Sequence, residues 1–238
     1  MTLERIMLYC RHLECNNNRP WFHENHREYE LAGQDYTSLL ERLRFTVCEA
    51  APLLEPDVMY GRVKDWTYRI PRDARMHRDQ PPYNPSFRAY ISADRKSWLP
   101  IGYFFCVDGN GIDFGTGVWC RDTESTNRIR EYISANAEAF FAIIEENDLI
   151  PQGTSLKGMP RGFSAEDPAA QYIKLKNWMV EESLRLKPET DFDVVEDLVA
   201  GYIKRMEPFR QFLLRACREQ QTYRESLKSF YQVREFDF

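Results

Sequence analysis

The sequence lacks the patterns that mark several common classes of protein. No pair of its cysteines has the Cys-x-x-Cys spacing, so neither a zinc ribbon nor a thioredoxin-like motif is indicated. No apolar run approaches the roughly 20 residues of a membrane span, and the first residues lack the long uncharged stretch of a signal peptide. We therefore expect a cytoplasmic protein without a membrane segment, whose thiols stay reduced. The cysteines, which we expect as small buried side chains, are Cys10, Cys15, Cys48, Cys106, Cys120 and Cys217.

The chain also lacks an excess of basic charge. Its 238 residues carry a net charge of -5, so nucleic acid is not an expected partner through bulk charge, and such binding would need a local basic patch. Hydrophobic residues make up 43% and charged residues 29% of the chain, as in ordinary globular proteins. We found no repeat, low-complexity segment or Gly/Ser linker, and the simplest prediction is one domain over residues 1–238. The oligomeric state is not indicated.

The apolar spacing changes from helical to alternating and back to helical along the chain. It predicts N-terminal helices over 3–14 (capped by Thr2), from Asn18 to about Gly33, and around 36–47. Strands are predicted at 58–63, 66–70, 87–92, 101–107 and 112–119, with the Asp108-Gly-Asn-Gly turn as the strongest hairpin signal. Further helices are predicted from 122 (capped by Asp122 or Thr123), from 167, from 190 and from 208. Segregated elements of this kind indicate the α+β class, with an antiparallel sheet of about five strands flanked by N-terminal and C-terminal helices.

The segment 69–83 concentrates ionic and hydrogen-bonding side chains, with four arginines, two aspartates and a histidine within 15 residues. It holds Arg69, Arg72, Arg75 and Arg78 at every third position, followed by a tyrosine in a proline-rich stretch. Guanidinium groups match the oxygens of phosphate and carboxylate. We therefore expect a binding site for a small anionic molecule here, with a phosphate or a carboxylate group.

Roles follow from the side-chain chemistry of this segment. Arg69, Arg72 and Arg75 would bind the anion, and Asp73, kept ionised by its arginine neighbours, would orient them. Asp79 is also a predicted ligand-binding residue. Tyr83 would donate a hydrogen bond or act as acid and base, so that a catalytic role would fall to Asp73 and Tyr83. The sequence indicates neither a reaction nor a cofactor, and whether the protein is an enzyme stays open.

Two other interpretations of the segment remain open. The arginines could form a non-catalytic surface for a protein or a nucleic acid. They could also pair with the aspartates and pin an irregular loop against the sheet, as structural ion-pair networks often do.

Three spaced motifs resemble those of domain-of-unknown-function family 2461, which occurs in bacteria and fungi. They are Arg69-x-x-Arg72-Asp73-x-Arg75 followed by Asp79, Pro82 and Tyr83; Asn16-Asn17 followed by Trp21-Phe22; and residues 156–163, which read Leu-Lys-Gly-Met-Pro-Arg-Gly-Phe. Met76 replaces the Phe of the family pattern and Gln80 replaces its Lys. The resemblance implies a set of positions that belong together and carries no activity with it.

Two weaker candidates lie outside that segment. His23 and His26, with Glu30 four residues further on, could ligate a metal, but a polar helix face is the commoner explanation and no metal site is predicted. The loop around Arg161 is basic and contains glycine but lacks the phosphate-loop pattern. An exposed connector explains it well, although it could supply Arg161 to the anion site.

Overall fold

The computed structural model describes residues 1–73, 79–92 and 101–234, and these residues form an α+β fold. Within them, one antiparallel sheet has four strands in the order β1-β2-β3-β4. The strands are β1 (Ser86–Ile91), β2 (Tyr103–Asp108), β3 (Gly111–Trp119) and β4 (Asn177–Arg185). The predicted class and the flanking helices are confirmed, and the sheet has one strand fewer than the five expected.

The chain divides into two compact units. Unit 1 comprises Met1–Thr116 and Glu181–Arg205, and unit 2 comprises Gly117–Val180 and Met206–Phe238. The expectation of one domain over residues 1–238 stays a prediction. The segment 69–83 belongs to unit 1, whereas Arg161 belongs to unit 2.

The N-terminal helices are α1 (Glu4–Cys15), α2 (Arg19–Glu24) and α3 (His26–Ala50). The apolar face predicted for α1 is buried in unit 1, although Leu3 rather than Thr2 is its N-cap residue. Asn18 caps α2 as predicted, because its side-chain oxygen accepts a hydrogen bond from the Trp21 backbone N–H at 3.0 Å. The predicted end near Gly33 is wrong, since α2 ends at Glu24 and α3 continues through Gly33.

The strands predicted at 58–63 and 66–70 are not present. A 3-10 turn (Pro52–Leu54) leads into the short helices α4 (Glu55–Tyr60) and α5 (Val63–Trp66). Val63 and Trp66 are both buried at a spacing of three, which fits one face of a helix better than one face of a strand. Residues 67–71 form only isolated bridges, one of them between Thr67 and Ala89.

The predicted hairpin between β2 and β3 is confirmed. Asp108 closes its turn, because one carboxylate oxygen accepts hydrogen bonds from the N–H groups of Asn110 at 2.7 Å and Gly111 at 3.0 Å. A side chain at Gly111 would place its Cβ 1.9 Å from the Leu184 carbonyl oxygen. Glycine is therefore required there by the close approach of two backbones.

The second half of the chain departs furthest from its prediction. Asp122 caps α6 (Thr123–Ala135) as predicted, and α7 (Ala137–Glu146) follows. The helix predicted from 167 is only the short α8 (Ala170–Ile173), and β4 takes the place of the rest. The two helices predicted from 190 and 208 are one helix, α9 (Phe192–Arg234), which contains Pro208. None of the described helices has the length and apolar character needed to cross a bilayer.

Candidate functional site

The two ends of the segment 69–83 pair with each other. The Arg72 backbone N–H donates to the Pro82 carbonyl oxygen and the Asn84 N–H donates to the Ile70 carbonyl oxygen, each at 2.9 Å. Pro71 and Tyr83 form an antiparallel bridge between these stretches. The paired ends fix the base of the loop, while residues 74–78, and with them the predicted ligand Arg75, lie outside the described residues.

Tyr83 is held through its backbone by the turn between α1 and α2, and through its ring by α2. The Asn17 side chain donates to the Tyr83 carbonyl oxygen at 2.9 Å and accepts from the Tyr83 N–H at 3.0 Å. The Phe22 ring stacks on the Tyr83 ring, with centroids 4.1 Å apart and planes inclined by 11°. Asn17 therefore binds Tyr83 as a neighbouring strand would, and Phe22 buries the ring.

Arg72 crosses the base of this loop. Its Nε donates to the Tyr83 carbonyl oxygen at 3.2 Å and its Nη1 donates to the Gln80 amide oxygen at 2.9 Å. Its side chain is half-buried, and its Nη2 makes no hydrogen bond within the part of the chain that the structure describes. Since both acceptors are neutral, no carboxylate among the described residues neutralises this guanidinium.

Apart from Arg72 and Tyr83, the predicted site residues that the structure describes are exposed. The Arg69 guanidinium makes no hydrogen bond or ion pair with the described residues, although the Arg69 carbonyl oxygen accepts from Arg88 Nη2 at 3.5 Å. Asp73 and Asp79 are also exposed at the two edges of the described loop. Arg161 is exposed beside Gly162, whose φ of +92° favours glycine. The structure thus brings together Arg72 and Tyr83, and it places Arg161 in the other unit.

The scan against family models matches residues 5–212 to a family of conserved hypothetical proteins (DUF2461). The chain belongs to the DUF2461 family. No curated protein and no solved structure matches the chain significantly. The match includes every predicted site residue of this DUF2461 chain, and it confirms the family that the three motifs suggested.

Contacts between the motifs are the feature that sequence reasoning missed. Phe22 and Asn17 hold Tyr83, although they belong to a different motif of the sequence. The available signal was the resemblance itself, which placed Asn16-Asn17 and Trp21-Phe22 in one motif and Tyr83 in another. Neither periodicity nor composition relates residues that lie 66 positions apart.

Gln80 has a defined role in this DUF2461 chain. Its side-chain oxygen accepts a hydrogen bond from Arg72, which a lysine could not do because an ammonium group has no acceptor. The pattern that the sequence resembles has Lys at this position. This chain therefore has a hydrogen-bond acceptor for Arg72 where a lysine would add a second cation.

The histidine pair belongs to an aromatic cluster around Phe22. The His26 ring meets the Phe22 ring edge-on at 5.8 Å, and His26 Nδ1 lies 3.5 Å from a Glu30 carboxylate oxygen. The His23 ring also approaches Phe22, at 6.4 Å. Among the described residues, no group of three or more His, Cys, Asp or Glu side chains could hold a metal ion. These contacts favour packing over ligation for both histidines.

Proposed function

We propose that this protein binds a small anionic molecule, bearing a phosphate or a carboxylate, at the segment 69–83. Arg72 is the central ligand residue, and Arg69 and Arg75 contribute further positive charge. Asp79 and Arg161 remain predicted ligand residues.

The observation that carries this proposal is the hydrogen bonding of Arg72. Two of its nitrogens are fixed by the Tyr83 carbonyl oxygen and the Gln80 amide oxygen, whereas Nη2 has no partner among the described residues. A guanidinium that is already oriented loses less conformational entropy when it binds a ligand. Nη2 can therefore donate to an anion without a change in the loop bonds of Arg72.

The bonds of Arg72 do not fit a role in a purely structural Arg–Asp network. Such a network would pair Arg72 with a carboxylate, and within the described residues Arg72 bonds only neutral oxygens. Asn17 and Phe22 already fasten the end of the loop. The loop does not need the charge of Arg72 for attachment, so that charge is available for a ligand.

The contacts of the Tyr83 side chain bear on its proposed catalytic role. Tyr83 is only 7% exposed and its ring is stacked on Phe22, which favours an anchoring role for the ring. We keep Asp73 as the orienting carboxylate and Tyr83 as the candidate acid and base, with Tyr83→Phe as the substitution that separates anchoring from proton transfer once a substrate is found.

Thermal melting in inorganic phosphate, pyrophosphate or citrate, at ionic strength matched with sodium chloride, tests the proposal. At about ten times its dissociation constant a ligand adds about 1.4 kcal/mol to the free energy of unfolding, which raises the melting temperature by roughly 3–6 °C for a chain of this length. We expect such a rise for at least one of these anions, its loss in Arg72→Ala and its partial retention in Arg72→Lys.

Arg27→Ala is the matched control, because Arg27 is an exposed arginine of α3 outside the loop. A rise that persists in Arg72→Ala, or no rise with any of the anions, would contradict the proposal. Steeply salt-dependent binding of oligonucleotides without any response to small anions would instead favour the nucleic-acid surface.

A further inference from the structure

The strand β4 lies at an edge of the sheet, because the strand order among the described residues is β1-β2-β3-β4. Near its end, the Leu184 carbonyl oxygen lies against Gly111 of β3. The Leu186 N–H donates to the Asn110 carbonyl oxygen in the turn that precedes β3. The backbone groups of these even-numbered residues therefore face β3. Since the direction alternates from one residue to the next in an antiparallel ladder, those of the odd-numbered residues face the free edge.

The odd-numbered residues of this edge in unit 1 are Glu181, Ser183 and Arg185. Their backbone N–H and C=O groups make no hydrogen bond outside the sheet within the part of the chain that the structure describes. All three side chains are exposed. A strand edge of this kind can pair with another strand through its unused backbone groups.

The sequence of this edge complements itself when two copies run antiparallel. Hydrogen-bonded pairs then form between outward-facing residues of the two strands. Because β4 ends at Arg185, only the register centred on Ser183 pairs all three outward positions within the strand. That register places each Glu181 directly opposite Arg185 of the second copy, and opposite charges so placed stabilise an antiparallel pair. It is also two-fold symmetric, as in most homodimers.

Glu181 has a like charge beside it in its own copy. Partial burial and the negative charge of Asp113 raise the pKa of the Glu181 carboxyl above its ordinary value. Neither Glu181 nor Arg185 makes an ion pair with the described residues, whereas Glu182, the neighbour whose side chain points to the other face, is paired with Arg205 of α9. A guanidinium that arrives opposite Glu181 offsets the repulsion from Asp113.

We propose that the edge of β4 from Glu181 to Arg185 pairs with the same edge of a second copy of this chain, antiparallel and centred on Ser183. Charged side chains on an exposed edge usually oppose pairing with another chain, and here their opposite signs favour one register. The paired stretch is short, so the dimer is weak and reversible. It does not depend on the anion site.

Sedimentation velocity at protein concentrations up to about 1 mM tests the proposal. We expect a reversible monomer–dimer equilibrium that added salt weakens. Arg185→Glu and Glu181→Arg each place like charges opposite one another at both ends of the paired strands, and each should weaken dimerisation by about tenfold or more. Both side chains are exposed, so each variant should fold, which thermal melting checks.

Exchange of the charges assigns the dimer to this edge. An equimolar mixture of the two single variants restores opposite charges at both ends of the paired strands, and so does the double variant Glu181→Arg/Arg185→Glu. Both should recover most of the dimerisation. The controls Arg27→Glu and Glu24→Arg make the same changes of charge on exposed residues of α3 and α2 and should leave the dimer unchanged.

Three results would overturn the proposal of a β4 dimer. The first is a monomer over the whole concentration range. The second is dimerisation of the single variants as strong as that of the unchanged protein. The third is a loss in the single variants that neither the mixture nor the double variant recovers.

Discussion

Two arginines of this chain, Arg210 in unit 2 and Arg72 in unit 1, are held in opposite ways. Arg210 is fully buried, and its Nε and Nη2 donate to the two carboxylate oxygens of Glu207 at 2.6 and 2.7 Å. Arg72 is half-buried and bonds a backbone carbonyl and a side-chain amide. The positive charge is neutralised in the first case and not by any described residue in the second.

The difference separates an arginine that serves the fold from one that can serve a ligand. A buried guanidinium without a carboxylate is costly, so the Glu207 carboxylate stabilises the buried charge of Arg210. Arg72 keeps contact with water, and neutral acceptors are enough to orient it. The substitutions below test whether this distinction holds.

Removing the acceptors of the two arginines is the comparison with the largest expected effect. Glu207→Ala removes the Glu207 carboxylate from the buried Arg210 and lowers the free energy of unfolding by about 3–5 kcal/mol. Gln80→Ala removes a neutral acceptor from the exposed side of Arg72 and costs at most about 1 kcal/mol. Urea denaturation measures both values.

The double variant Glu207→Ala/Arg210→Met is the control for the buried pair. Replacing both charges with apolar groups should recover most of the stability lost in Glu207→Ala. Equal losses in Glu207→Ala and Gln80→Ala would show that the two arginines are not held differently.

Asn17→Ala tests whether the N-terminal motif holds the loop on which Arg72 depends. It removes two hydrogen bonds to the Tyr83 backbone and should lower the free energy of unfolding by about 1–3 kcal/mol. Anion binding should also weaken, because the Tyr83 carbonyl oxygen that accepts the hydrogen bond from Arg72 Nε would no longer be held in place.

Asn16→Ala is the matched control for that substitution. The Asn16 side chain is exposed and donates only to the His12 carbonyl oxygen of its own helix, so its loss should leave anion binding unchanged. Identical anion binding in Asn17→Ala and Asn16→Ala would show that the contacts of Asn17 with Tyr83 do not contribute to anion binding.

Gln80→Lys has the smallest expected effect. It adds a cation at the edge of the loop and removes an acceptor of Arg72. If an anion binds there, its affinity should rise by up to about five-fold, as for an exposed ion pair, and the gain should disappear at high salt. Weaker phosphate binding in Gln80→Lys would mean that orientation of Arg72 matters more than added charge.

Much of the sheet could be predicted from the sequence, because alternation and turn chemistry are local. The alternation of residues 87–92 and the turn at Asp108 gave three of the four strands close to their observed bounds. The fourth, β4, was missed because Tyr172, Leu175, Trp178 and Met179 also fit a helical spacing. In the structure, Trp178 and Val180 are both buried, and their spacing of two is that of one face of a strand. The sequence alone did not favour this spacing over the helical one.

The candidate site was chosen by its charge, but its geometry could not be predicted. The concentration of arginine in 69–83 is visible in the sequence, whereas the acceptors of Arg72 are a backbone carbonyl and an amide that no pattern marks. The contacts of Asn17 and Phe22 with Tyr83 depend on tertiary packing. Local patterns thus identified the charged residues and missed the residues that orient them.

A crystal structure of the protein grown in inorganic phosphate tests the central claim most directly. We predict a phosphate oxygen within hydrogen-bond distance of Arg72 Nη2, with Nε still on the Tyr83 carbonyl oxygen and Nη1 still on Gln80. A carboxylate of Asp73 or Asp79 bonded to Nη2 in place of phosphate would show that the protein neutralises Arg72 itself, and would contradict the account.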